Sequence, residues 1–389
     1  MTDYKNILSD TVRDIKPSGI RRFFDIAQNV KGVISLGVGE PDFHTPWDIR
    51  AAAITALEKG KTVYTANAGL SELREEIASY TERKTGVKYS PDNETVVTVG
   101  GSEAIDITIR ALVNPGDEVL IHEPCFVCYA PLVRLAGGVP VTITTYARDK
   151  FKLLPEQLLK NITPKTKLLI LAYPNNPTGA IMTSEDLNGI AGVLKDTGIA
   201  VLSDEIYAEL TYGKKHVSIA SADGMKERVV MVNGFSKAFA MTGWRLGYVH
   251  APAPIAEQIL KIHQYAVMCS PTVSQYAAIA ALRNCDCEVR AMVSEYNRRR
   301  RFVVSRFNEM GLRCFEPEGA FYVFPSVEST GMTSEQFCEK LIMEQKVAAV
   351  PGTAFGDCGE GFIRVSYAYS MKHLQDALER IEYVIKDTE

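Results

Sequence analysis

The chain has no uninterrupted apolar run of about 18 residues, the length that crosses a bilayer as a helix. Its opening, Met1-Thr2-Asp3-Tyr4-Lys5-Asn6, is polar and has no hydrophobic signal core. It also lacks a dominant charge: 43 Lys and Arg against 47 Asp and Glu leave a net −4, which gives no electrostatic pull toward nucleic acid or a membrane surface. Eight cysteines in 389 residues are too sparse for a disulfide scaffold. Cys125 and Cys128 form a CxxC and Cys285 and Cys287 a CxC, but neither neighbourhood supplies the second pair that a zinc site needs. Without a redox context, structural thiols are the better reading of the CxxC than a thioredoxin-type pair. The six histidines, at 44, 122, 216, 250, 263 and 373, show no HExxH-like spacing, so no metal site is expected. No internal repeat or low-complexity tract stands out. A cytoplasmic protein is the natural expectation.

What is present is a large, well-cored sequence. At 46% hydrophobic and 23% charged it is ordinary for a globular chain, and 389 residues exceed the roughly 250–300 that one core supports. Between residues 70 and 250, helical patterns such as Ser71–Thr85 and Glu103–Leu112 alternate with short apolar runs. Those runs are Thr95–Val99, Val119–Ile121, Val139–Thr144, Leu168–Ala172, Ala200–Leu202 and Val229–Val232. Short buried strands separated by helices predict a mostly parallel sheet covered on both faces. From about residue 287 the texture changes. A long charged helix, Glu288–Glu309, precedes strand-like segments at Ala320–Phe324 and Phe362–Tyr367 and an amphipathic helix from Met371 to about Ile385. The Arg298–Arg301 run in the charged helix reads as a solvated, ion-paired face, flanked by Glu295 and Glu309, rather than a nucleic-acid patch.

Open α/β sheets bind ligands at the carboxyl ends of their strands, so the loops there matter most. Val99-Gly100-Gly101-Ser102-Glu103-Ala104 combines two glycines with Ser102 as a natural N-cap; it is either an anion site at a helix N-terminus or an ordinary capped turn. Tyr173-Pro174-Asn175-Asn176-Pro177-Thr178-Gly179 is either turn punctuation or a loop presenting an Asn amide to a ligand oxygen. Asp204, in Ser203-Asp204-Glu205-Ile206-Tyr207, ends a very apolar strand. It needs a cation or several donors there, or else caps a helix. Lys237, in Asn233-Gly234-Phe235-Ser236-Lys237, is flanked by small and apolar residues that would desolvate its ammonium and lower its pKa, as a Schiff-base lysine requires.

These loops, in this order, resemble the class I/II aminotransferases of fold type I, the aspartate-aminotransferase-like superfamily. The other matching pieces are Ser35–Phe43 (SLGVGEPDF), Tyr64 with Asn67-Ala68-Gly69, Ser236–Tyr248 (SKAFAMTGWRLGY) and Phe362–Tyr367 (FIRVSY), so the resemblance spans residues 35 to 367. It implies an α/β fold-type-I pyridoxal-phosphate transferase: a large domain with a mostly parallel sheet, residues 48–285, and a smaller α+β domain, residues 286–389, joined by part of an N-terminal segment, residues 1–47.

The resemblance also implies roles. Lys237 would hold pyridoxal 5′-phosphate as a Schiff base and shuttle the proton between substrate Cα and cofactor C4′. Asp204 would pair with the pyridinium nitrogen, and Asn176 and Tyr207 would donate to the phenolate oxygen. Gly101, the backbone amides of Ser102 and Glu103, Ser236 and Arg245 would hold the phosphate, and Phe126 would stack on the ring where other members carry Trp or Tyr. Arg364 would clamp the substrate α-carboxylate bidentately, with a backbone contact from Gly37 and a contribution from Asn176. Tyr64 would reach the phosphate of a neighbouring subunit, implying a homodimer with shared sites. Outside this company, the favoured readings would be a strand-edge salt bridge for Arg364 and core packing for Tyr64.

The implied reaction is ping-pong transfer of an amino group between an L-amino acid and a 2-oxo acid. The same machinery supports β-elimination by C–S lyases, which is the alternative. A transcription regulator on this fold is disfavoured because only about 35 residues precede the first motif, and no expected site residue is missing, as it would be in an inactive paralogue. The segment Ser18-Gly19-Ile20-Arg21-Arg22-Phe23-Phe24 resembles an active-site cover, with Arg21 or Arg22 either meeting a distal carboxylate or solvated.

Overall fold

The computed structural model describes residues 4, 7–17, 19 and 32–386. Seven strands form the main sheet in the order β2-β8-β7-β6-β5-β3-β4. They are β2 (Thr95–Thr98), β3 (Glu118–Glu123), β4 (Val139–Thr144), β5 (Thr166–Ala172), β6 (Ala200–Asp204), β7 (Val229–Gly234) and β8 (Gly247–His250). The parallel pairs run β4-β3-β5-β6-β7, and only β8 is antiparallel, to both β7 and β2. The middle of β5, Leu168 to Leu171, is buried on both faces, which is why these strands read as continuous apolar runs rather than alternations.

Every strand expected between residues 95 and 232 is there. β8 is the addition, a four-residue strand whose first two residues are the last two of the Ser236–Tyr248 motif. Its antiparallel direction matters for the site: residues that precede it lie at the same sheet edge as the carboxyl ends of the parallel strands, and Arg245 is two residues before it.

The remaining strands make two small sheets. β1 (Ile34–Ser35) pairs in parallel with β10 (Val347–Ala348), and β12 (Ile363–Ser366) lies antiparallel between β11 (Val350–Pro351) and β9 (Tyr322–Val323). The helix Met371–Lys386 buries Leu374, Ala377, Leu378, Ile381, Val384 and Ile385, a stripe at three- and four-residue spacing.

The arginine run departs from expectation. Arg299 and Arg300 are buried, at 5% and 8% exposure, because four consecutive helical residues span more than one face and two of them turn inward. Arg299 bridges Asp42 and Glu295, each at 2.8 Å, and Arg300 meets Glu316 at 2.9 Å and the Pro317 carbonyl at 2.8 Å. Only Arg298 and Arg301 are solvated, and Glu309 pairs with Arg306, beyond the run.

Candidate active site

A cavity of about 310 Å³ opens at the carboxyl edge of the main sheet, and loops following β2, β3, β5, β6 and β7 converge on it. The helix after β2 begins at Gly100, with Val99 as its N-cap residue, so Ser102 stands in the first helical turn and is not the cap. That correction strengthens the anion reading: Gly101 and Ser102 face the cavity from a turn whose amides have no intrahelical acceptor. The Glu103 side chain is held within the protein, accepting from the Val99 amide and meeting His263 Nδ1 at 2.8 Å, and Glu103 does not line the cavity. Ser236 and Arg245 complete this edge. Arg245 adopts a left-handed backbone, φ 54°, and its guanidinium donates to the Thr242 carbonyl at 3.0 Å.

Lys237 follows β7 and projects into the cavity, where Nζ donates to the Gly39 carbonyl at 2.6 Å. Burial lowers its pKa from 10.5 to about 8; Glu40 opposes that shift, while the nearby Arg364 and Arg245 cations reinforce it. Asp204 is the last residue of β6, 7% exposed. It caps no helix. Its carboxylate accepts from the Ile206 amide at 3.1 Å and from the Tyr129 hydroxyl at 2.7 Å, and burial still raises its pKa. Tyr207 lies 2.8 Å, oxygen to oxygen, from Tyr322, and burial pushes its phenol well above the usual range. Phe126, after β3, lines the cavity and meets Tyr129 edge-to-face at 6.2 Å.

The two asparagines of the β5 loop divide their work. Asn175 is buried and builds the loop, accepting from the Thr178 amide and hydroxyl. Asn176 faces the cavity, where its Oδ1 accepts from Arg364 Nη1 at 2.9 Å. Arg364, on β12, is 2% exposed; Nη2 donates to the Gly37 carbonyl, and Nε has no partner. No carboxylate among the described residues lies within ion-pair distance of it, so the strand-edge salt bridge is not what the structure contains. A buried cation without a counter-charge is expensive unless an anion arrives from outside.

Tyr64 is 80% exposed and outside this cavity, hence not a core residue. Arg21 and Arg22 lie outside the described residues. Cys125 is buried and its thiol pushed well up in pKa, opposite to what a redox thiol needs. Sequence reasoning missed Tyr129, three residues past Phe126 in a segment noticed only for its CxxC, and Tyr322, inside a run taken simply as a strand.

The family described as aminotransferase class I and II matches residues 31–381 of this chain. The chain belongs to that family. It is 55% identical to the putative aminotransferase YugH of Bacillus subtilis over 388 residues, covering all of both chains. An aspartate aminotransferase of Pyrococcus abyssi is 48% identical, with 98% of each chain covered. The solved aromatic aminotransferase of Pyrococcus horikoshii superimposes with a TM-score of 0.90 at 48% identity, covering 94% of this chain and 99% of that one. The protein is thus an aminotransferase with the aspartate-aminotransferase-like fold, and these relatives do not favour the β-lyase alternative.

Proposed function

We propose that this aminotransferase holds pyridoxal 5′-phosphate in the cavity above the main sheet, with Lys237 as its covalent anchor. The cavity suits that molecule. It offers an anion cradle at one edge, a buried acid in Asp204, and a lysine of lowered pKa between them. Bound there, the cofactor supplies an aldehyde and an electron-poor ring that takes up the electron pair left when Cα loses its proton.

The protein's own residues do the rest. The first-turn amides of Gly101, Ser102 and Glu103, with Ser236 and Arg245, hold the phosphate. Asp204, oriented by Tyr129 and the Ile206 amide, meets the ring nitrogen, whose positive charge offsets the cost of burying the carboxylate. Phe126, Asn176 and Tyr207 line the same cavity, where Phe126 would face the ring and the other two would donate to its phenolate oxygen. Lys237, neutral above pH about 8, would be the base that moves the Cα proton.

Arg364 is the observation that carries the substrate assignment: a buried guanidinium with an unused N–H and no protein carboxylate calls for the α-carboxylate of an amino acid. Aspartate and aromatic amino acids, named for the relatives, set the donor panel. Assayed with 2-oxoglutarate, the loaded protein should form glutamate from at least one of aspartate, tyrosine or phenylalanine. No glutamate from any of them would overturn this choice of donors.

Tyr64 belongs to an exposed apolar area with Val63 and Tyr265, 73% and 88% exposed. Hydrogen bonds from Thr272 to the Val63 carbonyl and from Asn67 to the Met268 carbonyl bring these segments together. This supports a homodimer in which Tyr64 completes the partner's phosphate site. The two small sheets with helix Met371–Lys386 form the smaller domain, to which residues 1–47 contribute β1. Eight free cysteines, Cys287 exposed among them, suit a reducing cytoplasm. No described helix is long and apolar enough to cross a membrane.

A further inference from the structure

Tyr322 joins parts of the site that the cofactor and substrate assignments treat separately. It stands in β9 directly opposite Ser366 of β12, and Arg364 lies two residues back along β12 on the same face. That diagonal lays the Tyr322 ring 4.6 Å from the Arg364 guanidinium, which also has Phe355 at 4.8 Å. The hydroxyl, buried with the rest of the side chain at 1% exposure, is 2.8 Å from the Tyr207 hydroxyl. Gly39, whose carbonyl accepts from Lys237, also touches this residue: a Cβ there would collide with the Tyr322 oxygen.

We propose that Tyr322 is a positioning residue that acts through two partners at once, its ring fixing Arg364 and its hydroxyl setting the donor strength of Tyr207. This rests on the proposed reading of the site. Arg364 has four rotatable side-chain bonds and no carboxylate to hold it; hydrogen bonds to Asn176 and Gly37 fix two of its nitrogens, and the aromatic face of Tyr322 adds to the orientation that bidentate capture of a carboxylate requires. The hydroxyl contributes differently. Either oxygen of the Tyr207–Tyr322 pair can donate. Once Tyr207 gives its proton to a ligand oxygen in the cavity, Tyr322 is the member left to donate, and it polarises Tyr207 into a stronger donor.

Two variants separate the halves. Tyr322→Phe keeps the ring and removes the hydroxyl. Its KM for the amino donor should stay near wild type, while the pH midpoint of the visible absorbance of the loaded enzyme should rise by about half a unit, the size of one modest hydrogen bond. Tyr322→Leu removes the aromatic face as well and should raise KM about tenfold, with a smaller change in kcat. The midpoint shift in Tyr322→Phe, which keeps the volume of the buried ring, is the signature that a general packing defect would not give. An unmoved midpoint in Tyr322→Phe, or an unchanged KM in Tyr322→Leu, overturns the inference. Should Tyr322→Leu fail to fold, the Tyr322→Phe midpoint decides alone. A wild-type protein that takes up no pyridoxal phosphate overturns the reading of the site and this inference with it. Wild-type transamination beside variants that behave identically overturns this inference only.

Discussion

At the scale of single residues, Lys237 and Arg364 are the two on which the proposed chemistry rests, and both are unusual for the same reason: each is a cation kept out of water. Burial makes the charged form of Lys237 costly, which brings its pKa down to about 8. In the protein without cofactor, the rate of condensation with pyridoxal phosphate should therefore climb with pH and level off above about 8, since the neutral amine is the nucleophile. A profile still rising toward 10.5, the ordinary lysine value, would mean that Lys237 is solvated. The same depression has a thermodynamic sign. Between about 8 and 10.5 the unfolded chain binds the proton that folded Lys237 has released, so this residue makes stability rise with pH across that window. For Arg364 the geometry of the fork decides. Arg364→Lys keeps the charge but loses the bidentate contact, and kcat/KM for amino donors should fall roughly 10–100-fold. Steady-state kinetics check this, and a loss under twofold would contradict a clamp.

At the scale of elements, β8 shows what linear sequence conceals. The parallel strands announce themselves as apolar runs and the loops after them line most of the cavity, so the sequence pointed to Lys237, Asp204 and Asn176, and the family resemblance to Arg245, as residues of one candidate site. β8 was not legible, because Gly247–His250 is short, has two polar-capable members and pairs antiparallel with strands that sit on either side of it. Its contribution is a backbone approach: a Cβ on Gly247 would lie 2.6 Å from the Gly100 carbonyl carbon and 2.7 Å from the Gly101 nitrogen. β8 thus backs directly onto the helical turn assigned to the phosphate. Gly247→Ala must displace that turn and should cost about 1–3 kcal/mol of stability, with weaker pyridoxal-phosphate binding, measured by denaturant melts and cofactor titration. Binding at wild-type affinity would show that the turn is not part of the cradle. Tyr129 and Tyr322 were illegible for another reason. Each acts through a partner more than 40 positions away, Asp204 and Arg364, and periodicity within a segment carries no information about such contacts. Arg299 looked solvated for the same reason, its carboxylate Asp42 lying at the other end of the chain.

At the scale of the whole molecule, the proposed homodimer rests on Tyr64. Tyr64 was placed at the site by resemblance, yet it stands 80% exposed and away from its own cavity, as a residue assigned to a partner's site must. Tyr64→Ala should keep the fold and weaken cofactor binding. Mixed dimers of Tyr64→Ala with Lys237→Ala should regain activity, because one of the two shared sites then draws both intact residues. A chain that sediments as an active monomer would contradict the shared site. In the proposed reaction the amino group passes through a cofactor anchored on Lys237. The most direct measurement is the absorbance spectrum of the purified, loaded protein. It should be yellow, lose its visible band on addition of an amino donor alone and regain it with a 2-oxo acid alone, while Lys237→Ala shows no such band before donor is added. Release of ammonia and pyruvate with the visible band undiminished would contradict the account.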